Sequence, residues 1–384
     1  MQVAKLFWNE ATGWAAPSGT LPEAHLVLYF GGRELLAEAA QQLGRMFPRA
    51  RIVGCSTGGQ ILGDDVSDDT LVAVAIRFAA TTVRLAHASL GEAADSRICG
   101  ETIGRALQGN DLAGIFVLSD GLHVNGSELV AGIADAVGPH VPLSGGLAGD
   151  GAAFGETLVG ADCAPRSRLV AGIGFYGRSI RIGTGSAGGW DVFGPRRKVT
   201  RASGTVLFEL DGKPALDLYE RYLGEDDAKA LPGSALLFPL QIFDPQRPDH
   251  IVVRTILGVD REARSMTFAG TIPQGWVTQL MRGNFDRLAT GSGEAARQAA
   301  ATMAAATTGA MRGEGVAVLV SCIGRRLLMG QRVADEVEAA GAELDPRWAR
   351  LGFYSYGELS PHAASRRCEL HNQTMTVTTL SEAA

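Results

Sequence analysis

The chain has 384 residues, 46% of them hydrophobic and 20% charged, with a net charge of −6 and a pI near 5.7. That composition fits a folded protein of two domains or one large composite, and it excludes a disordered tail and a general phosphate-binding surface. No apolar stretch approaches the ~20 residues that cross a bilayer, no export signal opens the chain, and the five cysteines form no CxxC pair, so a reduced cytoplasm is expected.

In chain order, Leu26 to Phe30 reads as a buried strand closed by Gly31-Gly32. Leu35, Leu36, Ala39, Leu43 and Met46 then recur at helical spacing, and a strand from Arg51 to Cys55 follows Pro48. Leu71 to Phe78 and Val83 to Leu90 alternate as an antiparallel pair would. A helix ends over Ile103 to Leu107, Gly114 to Leu118 is a strand, Leu129 to Val137 a helix, and a strand begins at Pro142. Pro195, the basic run Arg196-Arg197-Lys198 and Ser203-Gly204 break the rhythm; the run is too short for nucleic acid and reads as a solvated turn. Beyond the break, a helix is expected from Leu216 to Leu223, and strands over Ala235 to Phe243, Ile251 to Val259 and Met266 to Ala269. Then come an alanine-rich helix from Glu294 to Met311, a strand from Gly315 to Cys322, a helix from Arg332 to Ala340, and strands over Gly352 to Tyr356 and Gln373 to Leu380. Strands alternating with helices predict an α/β fold of two mixed-sheet domains, residues 1–200 and 201–384.

Three strand ends run into small, glycine-rich loops: Gly54-Cys55-Ser56-Thr57-Gly58-Gly59, Ser119-Asp120-Gly121-Leu122, and Ser144-Gly145-Gly146-Leu147-Ala148-Gly149-Asp150. In open α/β sheets ligands gather at such carboxyl ends, so Ser56, Thr57, Asp120, Gly121, Gly145, Gly146 and Asp150 are expected around one pocket. Tyr354 and Tyr356 alternate with Phe353, which places Phe353 in the core and turns Tyr356, with Glu358, towards a junction or pocket. No Walker loop or dinucleotide fingerprint occurs, so nucleotide binding is not expected. Cys55 and Ser119 are the candidate nucleophiles of a hydrolase-like alternative, but no Gly-x-Ser-x-Gly elbow is present. Cys368-x-x-His371 has no second close pair, so no metal site is expected from it.

The first half resembles the FIST N-terminal domain through those three loops and Asn125-Gly126. The second half resembles the FIST C-terminal domain through Glu209-Leu210-Asp211-Gly212-Lys213-Pro214-Ala215, Ser321-Cys322-Ile323-Gly324-Arg325-Arg326, Gly352-Phe353-Tyr354-Ser355-Tyr356-Gly357-Glu358 and the run from Cys368 to Thr376. The resemblance implies a ligand-sensing module of bacterial signal transduction, working beside histidine kinases, chemoreceptors or cyclic-dinucleotide enzymes. It also implies a haem option, because one stand-alone branch binds haem, senses nitric oxide and regulates a histidine kinase. Haem needs an axial ligand, for which His371, inside the terminal motif, and His123, after Ser119-Asp120-Gly121, are the candidates. A sensor of amino acids or another small metabolite without haem is the alternative. The expected mechanism is a ligand-dependent shift between two arrangements of the halves.

Overall fold

The computed structural model describes residues 1–16, 19–91, 95–305 and 313–383. One local pattern recurs three times: two buried strands paired in parallel through a helical crossover. Leu26–Gly31 pairs with Arg51–Ser56 across the helix Arg33–Met46. Leu112–Ser119 pairs with Leu143–Leu147 across Gly126–Val137, and Val316–Cys322 with Ala349–Ser355 across Ile323–Met329 and Val333–Ala342. On the far side of each first strand lies an antiparallel one, respectively Leu71–Arg77, Leu169–Tyr176 and Met375–Glu382. A further antiparallel strand flanks each of these: Gln2–Asn9, Thr82–Ser89 and Ile180–Ala187. Three six-stranded mixed sheets result that share a five-strand order and differ in which edge carries the sixth strand, interspersed with helices as the α/β class requires.

The strand that follows each parallel pair leaves its own sheet. Gln60–Leu62 crosses from the first sheet to pair with Ala349–Ser355 in the third, and Gly357–Pro361 crosses from the third to Leu143–Leu147 in the second. Val159–Ala161 crosses from the second to Arg51–Ser56 in the first, so the exchange is cyclic. The three crossovers are stitched by equivalent backbone hydrogen bonds. Gly58 N donates to Tyr354 O (2.8 Å), Tyr356 N to Leu147 O (3.2 Å) and Gly149 N to Ser56 O (3.0 Å). Strands on both sides of residue 200 therefore share two of the sheets.

All three sheets turn one face to a common core, where Leu28, Phe30 and Val74 meet Phe116, Ile173 and Phe175, and Val318, Val320 and Phe353. Helices cover the outer faces. Leu36, Ala39 and Leu43, on one stripe of Arg33–Met46, bury against Val27, Tyr29 and Ala73. Between Ile180–Ala187 and the helix Phe285–Ala305 the chain inserts a fourth body, with an eight-stranded antiparallel sheet and the helix Ala215–Leu223. It has its own core, including Val199, Leu216, Ile256 and Phe268.

Three sequence expectations are corrected here. Leu71–Arg77 and Thr82–Ser89 do not pair; they belong to different sheets. The turn between them is held by the Glu382 carboxylate, which accepts from Ala79, Ala80 and Thr81 N–H, a partner some 300 residues away that local alternation cannot reveal. Against its burial, these hydrogen bonds, with that of the Thr81 hydroxyl, hold the Glu382 carboxyl down to about 2. The strand expected over Ala235 to Phe243 divides into the 3₁₀ turn Gly233–Leu237 and the strand Leu240–Phe243, separated by Pro239. The alanine-rich helix begins earlier than expected, at Phe285, and the end expected for it at Met311 lies outside the described residues.

Candidate functional site

A cavity of about 300 Å³ opens outside the carboxyl ends of Leu112–Ser119, Leu143–Leu147 and Val316–Cys322, where the inserted body closes over the core. The core side contributes Gly121, His123, Leu147, Ile323 and Tyr356; the inserted body contributes Leu236, Thr255, Leu257 and Phe268. This is the strand-end position that open α/β sheets use for ligands.

The loop after Leu112–Ser119 is built around Asp120, whose side chain is fully buried. Its Oδ1 accepts from Leu122 N (2.8 Å) and His123 N (2.7 Å), and its Oδ2 from Arg168 N (2.8 Å). The same carboxylate lies 3.1 Å from His123 Nδ1. With a carboxylate as partner, Nδ1 is the nitrogen that donates, and Nε2 is turned away from Asp120 on a side chain that is 34% exposed. Gly121 permits the tight turn, because a Cβ there would stand 1.9 Å from the Ala148 carbonyl oxygen.

Tyr356 forms the opposite wall. Its hydroxyl hydrogen-bonds to Asp150 Oδ1, and its ring stacks on Phe154 with centroids 4.7 Å apart. Asp150 Oδ2 accepts from Gly155 N (2.8 Å) and Glu156 N (2.9 Å), tying that loop to the same wall. Within the lining, the Thr255 hydroxyl is buried without a hydrogen-bond partner. No Asp, Glu, Lys or Arg stands among the described lining residues.

The other residues singled out from sequence are not on the wall of this cavity. Ser56 and Thr57 are buried at the first crossover, where Ser56 Oγ accepts from Leu158 N (2.9 Å). Gly145 and Gly146 lie inside a strand. At Gly145, with φ +143°, a Cβ would meet Val117 O at 1.9 Å, and at Gly146 it would meet Val320 and Phe353. Phe353 is fully buried in the common core, on the opposite strand face from Tyr354. His371 is 5% exposed, its Nε2 engages the Ser360 carbonyl (3.0 Å), and burial holds its pKa down to about 4. Cys55 and Ser119 are both fully buried; burial pushes the Cys55 thiol up, and Ser119 Oγ donates to Asp120 O (3.1 Å). Cys322 does reach the cavity, but burial raises its thiol as well, which is the signature of an inert cysteine.

Glu358 is fully buried, with Ser355 Oγ donating to Oε1 (2.8 Å) and Thr374 Oγ1 to Oε2 (2.9 Å). Burial outweighs those bonds and pushes its pKa up to about 8, from 4.5 for the free group. The native state therefore holds a proton that the unfolded chain releases above pH ~4.5, and stability falls as pH rises between about 4.5 and 8. The slope is about 1.4 kcal/mol per pH unit. Glu358→Gln is expected to flatten that limb in urea titrations from pH 5 to 8. An unchanged slope would mean that Glu358 is ionised in the fold.

The sequence pointed to Gly121, His123 and Tyr356 on the wall, with Asp120 and Asp150 behind. It missed Thr255, Leu236, Leu257 and Phe268, which carry no motif and arrive through the inserted body. Cys322-Ile323 was findable, because Ser321-Cys322-Ile323-Gly324 is another strand end of the same type.

Two domain families match the chain in order, the FIST N domain over residues 25–213 and the FIST C domain over 215–361. No curated protein matches it. Among the described residues no helix is long and apolar enough to cross a membrane. With the two domains adjoining and together spanning most of its length, the chain belongs to the FIST family, whose domains are associated with small-ligand sensing in signal transduction.

Proposed function

We propose that the chain is a small-ligand sensor whose ligand occupies the seam cavity and whose bound state is read by a separate signalling enzyme, such as a sensor histidine kinase or a cyclic-dinucleotide enzyme. The observation that carries the reading is the cavity itself, with apolar walls drawn from both the core and the inserted body and polar points that include His123 Nε2 and the unpartnered Thr255 hydroxyl. A ligand touching both walls favours the closed seam over an open one by its differential affinity, and that difference is the signal. The uncharged lining favours a neutral, largely apolar molecule; the ammonium and carboxylate of an amino acid would find no charged partner among the described lining residues.

The test is a thermal-shift screen of small metabolites on wild type and Ala269→Trp, which fills the cavity. A true ligand raises the melting temperature of wild type and leaves Ala269→Trp unmoved. Equal shifts in both would place binding elsewhere and defeat the proposal.

Haem is a second reading, favoured by one observation: His123 offers an imidazole backed by a buried carboxylate, the arrangement of an axial ligand. When bound there, haem would supply an open iron face for a diatomic gas such as nitric oxide. The described lining holds no cation for the propionates, so only the axial half of a haem site is present. His123→Ala is expected to abolish the Soret band of reconstituted protein while His371→Ala retains it. The reverse result would return the role to His371, and no Soret band in wild type would end the haem reading.

A further inference from the structure

Away from the cavity, the inserted body meets the core along a second contact. His250 stands at the start of the edge strand Ile251–Arg254, facing the core hairpin made by Gly357–Pro361 and Cys368–His371. The Glu369 carboxylate lies 2.7 and 2.8 Å from His250 Nε2 and also accepts from Ser365 Oγ (2.8 Å). The ring of His362 stands edge-on to that of His250, with centroids 4.4 Å apart. One nitrogen of each imidazole and a Glu369 oxygen all fall within 4.8 Å of one another. His371 stacks behind His362, ring centroids 6.0 Å apart and nearly coplanar in orientation.

A latch between two bodies needs one imidazole and one carboxylate. This cluster holds more. A second imidazole packs against the pair, and His250 Nδ1 is buried with no hydrogen-bond partner, so a ring nitrogen is left unsatisfied. His362 is anchored only by main-chain groups, Nε2 to the Ile251 carbonyl (2.8 Å) and Nδ1 from Ala364 N–H (3.1 Å). A cation taken at Nδ1 displaces the Ala364 N–H and keeps the Nε2–H bond to the Ile251 carbonyl as backing for the ring, the usual support of a metal-bound histidine. We propose that His250, His362 and Glu369 bind a divalent transition-metal ion of the zinc type, which ties the inserted body to the core hairpin.

The donor set argues the metal class. Two imidazoles and a carboxylate suit zinc or cobalt(II) over calcium or magnesium, which prefer all-oxygen sites. Three protein ligands leave a fourth position for water. The two bodies are also joined by Arg254 Nη1, which donates to the Leu370 carbonyl (3.0 Å), so removing one metal ligand leaves the seam held.

The experiment is a cobalt(II) titration of metal-free full-length protein, followed by visible absorption and by melting. One equivalent of cobalt(II) is expected to give the intense bands of a four-coordinate ion, to raise the melting temperature and to be displaced by zinc. His250→Ala and Glu369→Gln are each expected to weaken binding by more than about 10-fold. Circular dichroism of both variants checks that they are folded, and Ala269→Trp, at the seam cavity, keeps full cobalt binding. Failure of wild type to take up cobalt(II), or uptake with unchanged affinity in both folded ligand variants, would overturn the site and leave a hydrogen-bonded latch.

Discussion

Arg325→Met is expected to cost about 3–5 kcal/mol of folding free energy, because it strands Glu336 as an uncompensated buried charge. Both side chains are fully buried, with Arg325 Nη2 2.8 Å from Glu336 Oε2. The guanidinium fork also donates to Leu288 O (2.8 Å) and Ser292 Oγ (2.9 Å) in the helix Phe285–Ala305, and to the carbonyl of Gly188 where the inserted body leaves the core. Glu336 in turn accepts from Ser321 Oγ (2.9 Å), at the end of Val316–Cys322. One arginine thus joins two helices, a central strand and the root of the insertion. Lysine keeps the charge but not the fork, so Arg325→Lys should be less damaging yet still destabilising. The double variant Arg325→Met/Glu336→Leu should lose less than the sum of the two single changes, since neither partner is then left alone. Urea unfolding of the wild type, the three single variants and the double variant reads this directly. A loss under about 1 kcal/mol for Arg325→Met would show that water reaches Glu336 and that the pair is not an internal one.

The second large effect concerns the length of chain that can fold. Residues 1–200 expressed alone are expected to show no cooperative melting transition and to bind hydrophobic dyes. Such a piece lacks Val316, Val318, Val320, Leu351, Phe353 and Leu380, the third wall of the common core. It also lacks Gly357–Pro361, which covers the edge of Leu143–Leu147, and Met375–Glu382, the partner of its own strand Ile180–Ala187. The exposed apolar walls and unpaired edges should drive association. A monomeric fragment with a sharp melting transition and native near-ultraviolet circular dichroism would show that the first two sheets suffice.

Much of this architecture is legible in the sequence wherever the determinant is local. Leu36, Ala39 and Leu43 announce a helix by their spacing, and the strand-end loops at Ser119-Asp120-Gly121 point to the cavity because an Asp two and three residues before its own N–H donors makes a tight turn. What escapes is every pairing decided at long range. Gln60–Leu62 is three residues long and carries nothing that distinguishes a partner at Leu351–Phe353 from a nearer one. The antiparallel hairpin expected at Ala79-Ala80-Thr81 fails for the same reason, since the groups that shape that turn belong to Glu382. His250 and Glu369 lie 119 positions apart and enter no spacing motif, whereas Cys368-x-x-His371, which looks like one, puts its histidine on a backbone carbonyl.

The cyclic exchange of strands has a consequence for synthesis. The ribosome delivers the chain from the N-terminus, so Gln60–Leu62 is made long before its partner Leu351–Phe353. The interval is roughly 290 residues, or about 15–60 s at ordinary elongation rates of about 5–20 residues per second. During that time the nascent third sheet does not exist, and the apolar faces of the first two have nothing to close against. Only when Gly357–Pro361 and then Met375–Glu382 emerge can the ring of crossovers lock. Closure of the three sheets therefore waits until Met375–Glu382 has emerged, and until then the growing chain is a natural client for chaperones that shield hydrophobic surface.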